Sequence, residues 1–188
     1  MASTALNTTA RIRAEDFAAR YADVPFCELE RGEVVHLTAG GWRHSSITFK
    51  VAYLLGEWAR RANTGRVLTG EAGVVTARDP DTVRGVDVAY FSFERVPRGK
   101  APDSFSEVAP TLAVEAVGKG QGWKKMTEKA AEYLRIGTDR VWIIDPTRNT
   151  LHVFASDLPP REYRETDTLE HDVVLPGFAC RVAEFFVD

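Results

Sequence analysis

The sequence predicts one α/β domain: a mixed central sheet flanked by helices, opened by an N-terminal hairpin and closed by C-terminal edge strands. Three observations predict it. The chain has 188 residues, 44% of them hydrophobic, which suits one core of ordinary density. The segment FCELERGEVVHLT alternates around Arg31-Gly32, the signature of a hairpin. The run LAVEAV, a glycine-rich loop, an amphipathic stretch and the run VWIID follow in the order strand, helix, strand, which implies a right-handed parallel crossover.

The elements follow in order. Residues 1–12 are small, polar and aperiodic and are expected to form a flexible arm, with residues 13–188 as the single domain. A short helix is expected from Arg13 to Tyr21, then the hairpin. After Gly40-Gly41, the residues Ile47, Val51, Leu54, Leu55, Trp58 and Ala62 recur at helical spacing, and Gly65 stands where a C-terminal cap would. Extended runs are expected at Val67–Thr69 and Gly73–Thr76, a turn at Asp79-Pro80-Asp81, and a further strand at Val86–Phe91. Residues 94–110 read as a surface loop, Leu112–Val117 as a central strand, Gly118–Gly122 as a loop and Trp123–Ile136 as a helix capped by Gly137. Trp123, Met126, Ala130, Tyr133 and Leu134 would form that helix's apolar stripe, with Lys129 on its flank. LHVF, DVVL and a Pro-Gly turn are expected to supply edge strands or a hairpin.

Composition excludes several function classes. Cys27 and Cys180 lie far apart without CxxC spacing, which argues against a zinc knuckle or a disulfide framework and fits a reducing compartment. No apolar run reaches the roughly 20 residues of a membrane span, and the start has no signal-peptide core, so a cytoplasmic location is expected. The net charge of −3 offers no global attraction to polyanions, so a nucleic-acid partner would need a local basic surface. The segment GKGQGWKKMTEK supplies one, with Lys119, Lys124 and Lys125 around a helix N-terminus, where backbone N–H groups attract phosphate. It has neither P-loop nor dinucleotide spacing, which argues against a nucleotide enzyme. No H-E-x-x-H pairing or G-x-S-x-G elbow is present.

The chemistry centres on Glu115, which interrupts a run that is apolar on both faces and therefore needs a cation: an Arg, a Lys or a metal. Asp87 is the single acid of its run, and if the two strands are neighbours both carboxylates meet at one sheet end, where a divalent cation would relieve their repulsion. An ammonium at Lys129 would suit phosphate charge beside such a site. His44 and Glu71 are further candidates to line it.

Asp87, Glu115 and Lys129 stand in the order and approximate spacing of the Uma family, in the PD-(D/E)XK nuclease superfamily, and the resemblance covers nearly the whole chain. CELERGEVV resembles that family's opening hairpin, GGWRHSSI its glycines and His before the long helix, and VRGVDVAYFS its first acid strand. LAVEAV is similar to its second acid strand, EKAAEYL to the helix with the displaced lysine, and VWIIDP to the strand that follows. Three positions depart from the pattern: Val86 replaces the usual Pro, Gly118-Lys119-Gly120 replaces Ser-Pro-Ser, and Lys125 stands where an acidic or polar residue is usual. The resemblance implies a restriction-endonuclease-like fold and a Mg2+- or Mn2+-dependent endodeoxyribonuclease. Asp87, Glu115 and the Ala116 carbonyl would be its metal ligands, Lys129 the catalytic lysine, DNA the substrate and a homodimer the working form. Two other readings stay open: a nuclease-fold module that binds nucleic acid or regulates without turnover, and a structural or oligomerisation protein with a buried Glu115 salt bridge.

Overall fold

The computed structural model describes residues 11–21 and 23–187. The expected arm at 1–12 therefore lies mostly outside the described residues. Its last two residues are already docked, since the Ile12 N–H donates to the Gly32 carbonyl at 2.9 Å. Helix α1 (Ala14–Tyr21) precedes the hairpin of β1 (Cys27–Glu30) and β2 (Glu33–His36). Arg31 and Gly32 both have positive φ, 52° and 81°, as a two-residue hairpin turn requires.

Helix α2 spans Trp42–Ala62 and ends on Asn63, whose αL conformation returns its N–H to the Ala59 carbonyl. Asn thus takes the capping role expected of Gly65, because its short polar side chain tolerates αL and the chain needs the turn two residues earlier. Gly65 instead starts β3 (Gly65–Ala77), which runs the full length of β4 (Thr82–Ser92). The two short runs expected here are one strand, interrupted in register by a bulge between Thr69 and Ala72. Asp87 therefore lies in the middle of β4, not at its start, because the polar Thr82 and Arg84 and the glycine at 85 masked the strand's first half.

Strand β5 (Leu112–Ala116) pairs in parallel with β6 (Arg140–Asp145), with helix α3 (Trp123–Arg135) between them in sequence. Strands β7 (Thr150–Ala155) and β8 (Arg161–Arg164) extend the sheet in antiparallel fashion, with β8 at the edge. The sheet order is β2-β1-β4-β5-β6-β7-β8, with β3 also on β4. The expected strand at DVVL is a turn: Asp172 accepts the Val174 N–H through Oδ1 and the Arg140 Nε–H through Oδ2, so this acid anchors a loop. Short strands β9 (Thr168–Leu169) and β10 (Cys180–Arg181) and a 3-10 turn at Val182–Phe185 finish the chain.

Each face of the sheet carries a core. Alternation sends Leu112, Val114 and Ala116 to one face, with Ile47, Val51 and Leu55 of α2 and the closing segment's Phe178 and Phe185. Ala113, Val141 and Ile143 go to the other, under Met126, Ala130 and Tyr133 of α3. Glu115 shares the parity of Ala113 and so lies beneath α3. Trp123, expected in the α3 stripe, is 43% exposed instead: it lies over β7, beside His152 and Phe154, toward the sheet's outer strands, while Met126 in the same turn is buried.

Candidate functional site

The site lies where β4 changes neighbour. Along one edge β4 keeps β3; along the other it pairs with β1 at Leu29↔Val83 and with β5 only from Val88↔Val114 onward. Between these ladders the backbone N–H groups need other acceptors, and carboxylates provide them. The Gly85 N–H donates to Glu28 Oε1 at 3.2 Å, and the Ala116 N–H donates to Asp87 Oδ2 at 2.8 Å. The split thus gathers Glu28 of β1, Asp87 of β4 and Glu115 of β5 at the carboxyl ends of the parallel pair β5 and β6, where open α/β sheets place ligands.

One cation serves two of these acids. Lys129 Nζ donates to Glu28 Oε1 at 3.0 Å and to Glu115 Oε2 at 3.2 Å, while the Tyr133 hydroxyl, one turn on, donates to Glu115 Oε1 at 2.6 Å. Lys129 is therefore inside the core and only 5% exposed, not on its flank: the two carboxylates draw it in. Burial alone would lower its pKa, but Glu115 and Glu28 outweigh that and hold it above the ordinary lysine value. Glu115 goes the other way. Burial pushes it up to about 7 against the pull of Lys129, and Asp87 pushes in the same direction. Burial also raises the Tyr133 phenol well above its usual value, with Glu115 adding to the effect, so it remains a donor.

A second cation closes the layer behind. Arg84, 3% exposed, donates to Glu28 at 3.0 Å, to Glu30 at 3.3 Å and in bidentate fashion to Glu132 at 2.8 and 2.9 Å. The guanidinium braces Glu28 and α3 without entering the space between Asp87 and Glu115.

His44, from the first turns of α2, reaches the site as expected: its Nε2 lies 3.3 Å from Asp87 Oδ2. That contact raises its pKa, with burial opposing. Glu71 sits in the β3 bulge with φ +62°. As a residue it is solvent-exposed, yet its carboxyl folds inward onto Gly85, where a Cβ would press into Oε2. Desolvation there, and then the charge of Asp87, raise Glu71 to about 7.

Asp87, Glu115, Lys129, His44, Glu71 and Ala116 thus share one cavity of about 310 Å³. Lys119 and Lys125 join its rim, with the glycines of the 118–120 loop. Lys124 lies outside, on the solvent face, pairing with Glu128 at 3.8 Å. Among the described residues no group of three or more His, Cys, Asp or Glu side chains forms a ready metal cage. The available side-chain donors are carboxylate oxygens, and Ala116 lines the same cavity. That set fits Mg2+, which is commonly held by one or two carboxylates together with water and substrate phosphate. The cluster's chemistry agrees: burial first, and the charge of Asp87 in addition, raise both Glu71 and Glu115 to about 7 despite Lys129, so a further cation would favour their ionised forms.

Sequence reasoning missed Glu28, Tyr133 and Arg84 as members of this site. Glu28 and Glu30 alternate with Cys27 and Leu29 and so look like the solvent face of a hairpin, and Tyr133 fits the apolar stripe. The sequence offered no clear signal for Arg84 either, because the strand read from it began at Val86 and the burial of residues 82–86 emerges only from the fold.

Residues 14–183 match the family model described as "Uma2: Putative restriction endonuclease". The fold matches the crystal structure of a protein titled a putative nuclease belonging to DUF820 from Anabaena variabilis, with a TM-score of 0.77 at 18% identity, covering 93% of this chain and 97% of that one. No curated protein matches the chain significantly. Among the described residues no helix is long and apolar enough to cross a membrane. With a family match across nearly the entire domain and the same fold in the nuclease-titled structure, the chain belongs to the Uma2 family of restriction-endonuclease-like proteins.

Proposed function

We propose that this chain is a divalent-metal-dependent endonuclease that hydrolyses DNA phosphodiester bonds. The observation that carries the reading is the convergence of Asp87, Glu115 and Lys129 on one cavity whose rim is basic. Asp87, Glu115 and the Ala116 carbonyl would hold Mg2+ or Mn2+, which would supply an activated water and neutralise phosphate charge. Lys129 stays protonated and stands ready to stabilise charge on the scissile phosphate, with Glu28 keeping its ammonium in place. Tyr133 orients Glu115, His44 orients Asp87, and Lys119 and Lys125 draw the phosphate backbone to the rim. Glu71 is placed to accept a proton within the same cavity.

One observation favours a second reading, a nuclease-fold module that binds nucleic acid without turnover: both Glu115 oxygens are already engaged, by Lys129 and Tyr133. Incubating the protein with plasmid and single-stranded DNA, with MgCl2 or EDTA, separates the two. The nuclease reading expects cleavage that needs the metal and disappears in Asp87→Asn and Lys129→Ala. Binding by the parent without cleavage under any metal would leave the second reading standing alone.

A further inference from the structure

Beyond the glycine loop lies a second, larger groove of about 1020 Å³, which shares Gly41, His44 and the 118–121 loop with the acidic cavity. Two indoles face it. Trp42 opens α2 and is 89% exposed, two residues before the His44 that contacts Asp87. Trp123 opens α3, left out of the core, with its ring 4.4 Å from the His152 ring and edge-on to it at 60°. Large aromatic faces in water next to a polar site signal a ligand with flat apolar faces of its own.

The charges fit a polyanion. Arg43, Lys119 and Arg148 line the groove against Asp145 and Glu162. Asp145 is committed to its own turn, accepting the Thr147 N–H at 2.8 Å and the Thr147 hydroxyl at 2.6 Å. Arg43 spends one N–H on Asn149 at 2.6 Å and keeps the rest of its guanidinium. Bases inside a duplex stack on one another and offer no free face, whereas unpaired bases stack on aromatic side chains beside a basic track.

We propose that this groove binds unpaired nucleobases, with Trp42 as the stacking platform and Trp123 as its second wall. The substrate of the acidic cavity would then carry a single-stranded stretch beside the bond to be cut, a refinement that rests on the nuclease reading.

The test uses the full chain in EDTA, so that binding is measured apart from cleavage. Tryptophan emission is followed while an oligothymidylate of about 15 nucleotides is titrated in. The parent should be quenched, and Trp42→Ala should bind roughly 5- to 150-fold more weakly, the range for one lost stacking contact. Trp42→Phe should recover most of the affinity. A fully abasic strand of equal length should bind the parent at least as weakly as thymidylate binds Trp42→Ala, since it forfeits the Trp123 wall as well, and blunt duplex should be indifferent to the substitution. Equal thymidylate affinity for parent and Trp42→Ala, or tight binding of the abasic strand, would overturn the proposal. Trp42-dependent binding without any cleavage would refute hydrolysis and leave the groove's assignment. Metal-dependent cleavage with Trp42-independent binding would refute the groove and leave hydrolysis.

Discussion

Replacing Glu115 by Gln separates a ligand site from a structural ion pair through stability alone. In the folded protein burial moves the Glu115 carboxyl from 4.5 to about 7. The native state therefore holds its proton more tightly than the unfolded chain, and stability falls as pH rises from about 4.5 to about 7. Above that window the full cost is about 3 kcal/mol, at 1.36 kcal/mol for each pH unit of the shift. Gln removes the ionisation and hence the slope, while Lys129 keeps its 3.0 Å contact with Glu28 and is not stranded. Glu71 is present in both proteins, so the difference between them isolates Glu115. At pH 4 the two should melt alike; at pH 8 the variant should melt about 6–12 °C higher, at 2–4 °C per kcal/mol for a domain of this size. Magnesium at ten times its dissociation constant should stabilise the parent by about 1.4 kcal/mol, or roughly 3–6 °C, and leave the variant unmoved. Thermal melts followed by circular dichroism at both pH values, with and without MgCl2, read every arm. A variant 3–5 kcal/mol less stable than a metal-blind parent would refute the reasoning, because that pattern belongs to a structural ion pair losing one partner.

Arg84→Met removes the guanidinium that braces Glu28, Glu30 and Glu132. Because Lys129 still faces Glu28, the loss should be near 3 kcal/mol, the lower end for a broken buried pair, and lower the melting temperature by roughly 6–12 °C; an unchanged melt would show that the pair contributes nothing. His44 titrates above 6.5 through its contact with Asp87, so the pair's stabilisation is complete below pH 6.5 and fades as pH rises through the raised value. Asp87→Asn should move the His44 resonance midpoint down in an NMR titration, and a fixed midpoint would remove Asp87 as the cause. Lys119→Ala and Lys125→Ala should each reduce the log–log salt slope of duplex binding by about 0.9, while Lys124→Ala, outside the cavity, should leave it unchanged. Three equal slopes would sink the division.

What the sequence determined by itself is local or periodic: the hairpin at Arg31-Gly32, the apolar stripe that makes α2, the β5-α3-β6 order, and a carboxylate at Glu115 that could not be buried alone. Asp87 was legible as the single acid of its run, and Lys129 through its place in the family's pattern. Only the tertiary structure decided who answers Glu115. That depends on β4 exchanging β1 for β5 along one edge, a long-range pairing with no sequence signal, and the exchange brings Glu28 to Lys129 across 101 positions. The same geometry moved Lys129 inward and Trp123 outward, although helical periodicity placed them the other way. Period counts which residues share a face; it says nothing of where along its length that face meets the sheet. At the end of α3 near the sheet's rim, Trp123 finds solvent, while two turns further the buried acids stabilise an ammonium where an apolar group would otherwise pack.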